Sequence, residues 1–241
     1  MKGAVICCNG DVMKKKRLTA AAAILFLCML MGLLYHKEME TALTTMAYRP
    51  LSGITIVLDA GHGGKDNGAM ISGVNEQDIN LSIIQKLKTL LEGSGASVQL
   101  TRDGNYDLAD DGVSNRKRDD MKKRVAMIND TTPDIFISVH LNAYPNTSVH
   151  GAQVFYQKGN PSSEQLAGIL QENLKEATGS KMIEKPGDYY ILNESKKPGV
   201  LVECGFLSNA EDRAHLQEDA YQQTIAETLF DGILEYFDMM I

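Results

Sequence analysis

Two histidines and two glutamates in this sequence could do chemistry together: His62, Glu76, His140 and Glu203. Two imidazoles and a carboxylate suit zinc and leave a fourth coordination position open to water, whose acidity the metal raises. His62, Glu76 and His140 supply that set. The remaining carboxylate, Glu203, is then free to accept a proton from water attacking a carbonyl and to deliver one to a leaving nitrogen, which is amide hydrolysis. Gly61 before His62 and Gly63-Gly64 after it allow a turn tight enough to bring the ring back over the preceding strand. Each residue also has an ordinary reading. A histidine past a strand can be a loop residue, and Glu76 can be a helix-start carboxylate favoured by the macrodipole. The GHGG run can be a phosphate-cradling loop, although it lacks the P-loop lysine and the Rossmann glycine spacing. Glu203 resists such a reading, because a carboxylate between Val202 and Cys204 in an apolar strand needs a partner or a function. Spacing alone thus describes a metal hydrolase whose bond is unnamed. His150 and His215 have no fitting neighbours and read as surface residues.

Residues so far apart in the chain meet only if the fold carries them to one edge. Ile54–Asp59, Ala96–Arg102, Asp134–Asn142, Ala152–Gln157, Tyr189–Leu192 and Val200–Cys204 read as strands from their short β-branched runs. Helices are expected over Glu76–Glu92, Asn115–Asn129, Pro161–Ala177 and Asp219–Phe237, where apolar residues recur at three- and four-residue steps. The alternation predicts an α/β fold, a mainly parallel twisted sheet flanked by helices on both faces. Such sheets bind ligands at the carboxyl ends of their strands. His62, His140 and Glu203 fall at or just past strand ends, and Glu76 opens the first helix at the same rim.

The catalytic domain is expected over residues 54–241, behind a signal peptide or membrane anchor over 1–35 and a linker over 36–53. Lys14, Lys15, Lys16 and Arg17 precede the uncharged run Leu18–Tyr35, whose 18 residues are near the minimum that spans a bilayer and longer than the usual signal-peptide core. No A-x-A triplet follows closely, which favours an uncleaved anchor, and the basic flank places the remainder outside the plasma membrane, anchored or secreted. Residues 1–17 hold five Lys/Arg and one Asp, so the net charge of −7 leaves −11 beyond them. An acidic domain argues against a nucleic-acid partner. Cys7, Cys8 and Cys28 lie in the N-terminal segment and Cys204 alone lies in the domain, so no disulfide forms within it.

Four blocks, IVLDAGHGGKDNGA, NEQDINLSI, ISVHLNA and VLVECGFLSN, resemble in content and order the signature blocks of the N-acetylmuramoyl-L-alanine amidase family. The resemblance spans roughly residues 53–238. It implies Zn2+ bound by His62, Glu76 and His140, catalysis by Glu203, and a peptidoglycan substrate cut between the lactyl group of N-acetylmuramic acid and L-alanine. A catalytic domain alone behind an N-terminal anchor is similar to the germination-specific amidases of endospore formers. That likeness implies work on spore cortex between the forespore membranes, a muramic acid deacetylase acting next to give muramic-δ-lactam, and an accessory lipoprotein. A zinc peptidase acting on another wall bond and a catalytically inactive wall-binding domain are the alternatives, the second requiring the loss of a ligand or base that is here in place.

Overall fold

The computed structural model describes residues 8–47 and 49–240. The chain divides into two units, one ending at Tyr48 and one beginning at Arg49. The first contains a single helix, α1 (Cys8–Ala47), in which Ile24 to Leu27 and Met29 to Met31 are exposed. Among the described residues no helix is long and apolar enough to cross a membrane. Residues 1–7 of the expected targeting segment, Cys7 included, lie outside the described residues. The expected linker divides: residues 36–47 continue α1, whereas Leu51 is fully buried in the second unit and its N–H bonds to Ser94 O at 3.0 Å.

The second unit begins with β1 (Thr55–Ala60), then the two-residue strands β2 (Met70–Ile71) and β3 (Val74–Asn75), and α2 (Glu76–Gly93). Ser72 and Gly73 join β2 to β3 with positive φ at both positions, 53° and 81°, the backbone of a tight hairpin turn. α2 buries Ile79, Ile83, Leu87 and Leu91, one face at four-residue steps. β4 (Ser97–Leu100) follows, and α3 (Arg116–Thr131) starts where the Asn115 side chain accepts a bond from Arg118 N at 3.0 Å. β5 (Ile135–Asn142), β6 (Gln153–Tyr156), α4 (Pro161–Thr178), β7 (Lys185–Pro186), α5 (Tyr190–Glu194), β8 (Gly199–Phe206), α6 (Ala210–Leu216) and α7 (Asp219–Asp238) complete the chain.

The six-stranded sheet has the order β4-β1-β5-β8-β6-β7. β4, β1, β5 and β8 run parallel, while β6 pairs antiparallel with β8 and carries β7 alongside it. The expected parallel sheet with helices on both faces is therefore present. One expectation fails: Tyr189–Leu192 forms no strand, and α5 takes its place. Leu192 N and Asn193 N both bond to Tyr189 O, at 3.0 and 2.9 Å. Ile191 and Leu192 are both buried, which a strand's alternation cannot achieve on one face but a helical turn pressed on the sheet can.

Chain order places the site. From β1 the chain passes outward to β4, then crosses back through α3 to β5 on the other side of β1. The connections leave β1 and β5 in opposite directions, and the crevice between their carboxyl ends is where open parallel sheets receive ligands. Strand alternation settles which face looks into it. Ile135, Ile137, Val139 and Leu141 of β5 join the larger core under α2, α4 and α7. Phe136, Ser138 and His140 alternate with them onto the other face. There Phe136 packs with Val57, Val125, Ile128, Ile191 and Leu201, under α3 and α5.

On that second face lies a buried charge network. Asp59 accepts from Thr101 Oγ1 at 2.7 Å, Ser138 Oγ at 2.6 Å and Arg124 Nη1 at 2.8 Å. Arg124 also bonds Asp120 at 2.8 Å, with both Asp59 and Arg124 1% exposed. Burial alone would raise the Asp59 pKa, but the guanidinium and the two hydroxyls prevail and hold it at about 2, below its ordinary 3.8. A carboxylate more acidic in the folded chain than in the unfolded one stabilises fully above its ordinary value, and that stabilisation is lost as the pH falls through the folded value. Asp59→Asn should therefore cost about 3 kcal/mol in denaturant unfolding at neutral pH. The gap between variant and parent should narrow as the pH falls from about 4 to about 2; a cost below about 1 kcal/mol, or one independent of pH, would mean that the ion pair contributes little.

Candidate active site

Three of the four singled-out residues share one carboxylate oxygen. Glu76 Oε1 lies 3.2 Å from His62 Nε2 and 2.9 Å from His140 Nδ1, and it accepts from Leu141 N at 3.1 Å. Its other oxygen accepts from Ala69 N at 2.8 Å, which fixes the carboxylate plane. One ligand atom from each of the three residues can be chosen so that all lie within 4.8 Å of one another, the only such group among the described residues. Two ligands about 2.1 Å from a tetrahedral ion stand roughly 3.4 Å apart, so the two contacts of Glu76 Oε1 would open slightly and the widest separation in the set would close by up to about 1.4 Å to enclose zinc. Charge favours it too. Burial pulls the His62 pKa down, but Asp66 and Glu76 outweigh that and raise it to about 9. Burial likewise opposes ionisation of Glu76, yet its contacts with His140 and His62 hold it well below the carboxylate range. The pocket is built to keep positive charge between these side chains, and a divalent cation can take the place of the protons.

The backbone that presents His62 is held by two buried arginines. Arg102 Nε donates to Ala60 O at 2.8 Å, and its Nη2 donates to Gly61 O at 3.0 Å and Gln77 O at 2.8 Å. Arg124 donates to Ala60 O at 2.7 Å and His62 O at 2.6 Å. His62 itself sits at φ 63°, in the left-handed region that a branched or bulky residue seldom occupies. Asp66 Oδ2 stands 2.9 Å from His62 Nδ1, which leaves Nε2 turned toward Glu76. A carboxylate behind an imidazole in this way fixes the ring and raises its basicity as a ligand. Asn80 completes the frame, donating to Gly61 O at 3.2 Å and reaching Glu76 Oε1 at 3.4 Å.

Glu203 arrives from β8. Parallel register pairs it with His140, so the two side chains stand on neighbouring strands and on the same face. It is 6% exposed, and its Oε2 is buried without a hydrogen-bond partner among the described residues. The Tyr189 phenol lies near the carboxylate and interacts with it. Burial raises the Glu203 pKa, with His140 opposing and Glu76 assisting, to about 7. Burial together with Glu203 pushes the Tyr189 phenol far up, so it stays protonated. All four residues line one cleft of about 420 Å³, walled by Met121, Leu141, Ile191 and Leu201. His62, Glu76, His140 and Glu203 thus come together as their types and spacing suggest, while His150 and His215 are exposed. Asp66 and Tyr189 are additions. Asp66 was readable as a carboxylate four residues past His62 across a glycine turn; Tyr189 was hidden by reading its segment as a strand.

The family profile for N-acetylmuramoyl-L-alanine amidases matches residues 56–235, the whole sheet and its helices. The chain belongs to the N-acetylmuramoyl-L-alanine amidase family. It is 37% identical over 193 residues to the germination-specific N-acetylmuramoyl-L-alanine amidase of Bacillus subtilis, covering 78% of this chain and 81% of that relative. Among solved structures it is similar to the CwlD amidase from Clostridioides difficile in complex with the GerS lipoprotein, with 38% identity and a TM-score of 0.75 over 78% of this chain and all of that one. The catalytic domain of CwlV, an amidase of Bacillus (Paenibacillus) polymyxa, matches with 31% identity and a TM-score of 0.68, over 77% of this chain and 98% of that one.

In this amidase domain two glycines make room for the clustered side chains. A Cβ on Gly61 would lie under 3.0 Å from the His140 ring, and one on Gly68 under 3.0 Å from both Glu76 Oε2 and His62 Cδ2. Gly68 also needs its φ of 67°. Gly61→Ala and Gly68→Ala should each weaken zinc binding at least tenfold in a competition titration with a chelator, while far-ultraviolet circular dichroism stays that of the parent. Parent-like affinity in both would show that the ligand rings are not held by this close packing.

Proposed function

We propose that the protein is a zinc-dependent amidase hydrolysing the bond between N-acetylmuramic acid and L-alanine in peptidoglycan, with His62, Glu76 and His140 holding the metal and Glu203 moving the protons. The observation that carries this reading is the convergence of the three ligand residues on Glu76 Oε1, with Glu203 beside them presenting an unpartnered buried oxygen. Zinc held there would supply Lewis acidity, polarising the amide carbonyl and making water more acidic. The protein's own groups do the rest. A carboxyl with a pKa of about 7 is populated in both forms near neutrality, so Glu203 accepts a proton from the attacking water and returns it to the departing L-alanine nitrogen. The Tyr189 phenol stands near that carboxylate and favours its ionised form, opposing the effect of burial. The apolar walls keep bulk water away and strengthen every charge interaction within the cleft.

The biological setting we propose is spore cortex maturation. The germination-specific relative of Bacillus subtilis supports it. The amidase would bare muramic acid for a deacetylase that acts next to give muramic-δ-lactam. An accessory lipoprotein is proposed on the strength of the Clostridioides difficile complex. Export, with residues 1–35 as anchor or cleaved signal and the domain between the forespore membranes, rests on the uncharged run Leu18–Tyr35 behind Lys14–Arg17.

Incubating the zinc-loaded protein with peptidoglycan, with and without the lipoprotein, should release peptide stems beginning at L-alanine by mass spectrometry. Cuts inside the stem would favour a wall peptidase, and no products from zinc-loaded protein would favour an inactive binding domain. Glu203→Gln should abolish turnover with zinc content near that of the parent, and in the producing organism should yield cortex without muramic-δ-lactam. His140→Ala should lose metal and activity together. Activity surviving Glu203→Gln would remove that residue from the proton path, and tight zinc in His140→Ala would point to a different third ligand.

A further inference from the structure

The catalytic cleft does not end at its zinc ligands. A second depression of about 270 Å³, lined by Lys65, Asp107 and Arg116, adjoins it and shares Asp66, Lys117 and Asp120 with it. Of all the residues lining the catalytic cleft, Lys117 is the only lysine or arginine, set among Asp66, Glu76, Asp120 and Glu203. Of the neighbouring cations, Arg116, Lys123 and Arg124 are already spent, and Lys65 borders only the second depression. Arg116 is locked on Asp107 through two contacts of 2.9 and 2.8 Å, Lys123 pairs with Asp110, and Arg124 is buried on Asp59 and Asp120. Lys117 has only a 3.6 Å contact with Asp66, whose carboxylate is committed to His62 at 2.9 Å and to Gly68 N at 3.2 Å, and its side chain is 70% exposed. Its ammonium therefore has donors to spare, at the point where one depression opens into the other.

We infer that Lys117 reads a carboxylate on the peptide side of the substrate, one residue beyond the bond that is cut. The inference rests on the amidase reading above. In a stem whose second residue is a glutamate joined through its side chain, the free α-carboxylate sits one residue past L-alanine, unless it has been amidated. One extended residue spans about 3.5 Å. Lys117 is separated from His62 by the single carboxylate of Asp66, so its ammonium lies within one to two residue lengths of the ligand cluster. The peptide would leave the cleft through the adjoining depression, while Tyr189 and Ile191 border the cleft from α5. In a domain of net negative charge, a single cation at this position discriminates between stems by attraction at one atom and by little elsewhere.

The test uses the full-length zinc-loaded protein and two short glycan substrates with L-alanyl-γ-D-glutamyl stems, identical except that the second residue's α-carboxyl is free in one and amidated in the other. The parent should favour the free carboxylate three- to tenfold in kcat/KM, less so at high salt. Lys117→Met should bring the ratio close to one, Lys117→Arg should restore most of it, and zinc content should match the parent in both. A parent ratio of one, a preference that survives Lys117→Met, or an equal loss on both substrates would overturn the assignment. Failure of the parent to cut the muramoyl–L-alanine bond in either substrate would instead sink the amidase reading.

Discussion

The geometry of the site depends on two guanidinium groups buried where β1 ends. A chain that leaves a sheet in a tight turn carries its carbonyls out of the ladder, and buried carbonyls without donors are costly. Arg102 and Arg124 supply the donors, taking Ala60 O together and Gly61 O and His62 O singly. Lysine could not replace them, because only the planar fork reaches carbonyls on diverging sides of a turn with charge to spare for carboxylates. Arg124 is balanced by Asp59 and Asp120. Arg102 has no carboxylate in direct contact, and burial together with Arg124 lowers its pKa to about 10, still far above neutrality. The strain at His62 persists because both neighbours along the backbone are pinned.

The same residue type serves opposite ends in the two glutamates. Glu76 is surrounded by donors, with both histidines, two backbone N–H groups and Asn80 aimed at it, and is held ionised. Glu203 has a phenol nearby and one bare buried oxygen, and burial carries it to about 7. Their separation follows from the fold. Glu76 is the first residue of a helix, within reach of the Ala69 and Leu141 N–H groups, whereas Glu203 is in the middle of a sheet and accepts from no backbone N–H among the described residues. Environment, not composition, pushes two carboxylates apart in acidity.

Much of this was legible in the residues. The parallel sheet and its carboxyl rim follow from apolar periodicity, the four side chains stand out by type and by their place at that rim, and the resemblance of the four blocks to the amidase family names their roles. The parts that escaped are those where local pattern and tertiary demand diverge. YILN has the composition of a strand, and only the sheet's occupancy by β8, β6 and β7 turns it into α5. The hairpin at Ser72-Gly73 and helix α6 behind the Asn209 cap are too short for periodicity to register, though Asn209 accepts from Glu211 N and Asp212 N as a capping residue does. The buried arginines were invisible as such, because Arg102 and Arg124 look like ordinary charges at a strand end and on a basic helix face. Nothing local announces that a carbonyl 42 residues from the one and 64 from the other needs them.

The cleft itself is a product of unequal cover on the two sheet faces. Three long helices, α2, α4 and α7, close the larger face over a continuous apolar core. The other face has only α3 and the short α5. Those two meet at their C-terminal ends, where Asn129 Nδ2 bonds Glu194 O and Lys196 N bonds Asn129 Oδ1. Toward their N-terminal ends they no longer meet, and Lys117 and Met121 on one helix and Tyr190 and Ile191 on the other border the cleft. Because strand alternation sends His140 and Glu203 to this thinly covered face, the polar residues of β5 and β8 reach solvent at the one place where the helices part. Had His140 stood one residue earlier or later in β5, the same pairing register would have turned it into the apolar core beneath α2. The position of a single histidine within the strand thus decides between a packed interior and an open cleft.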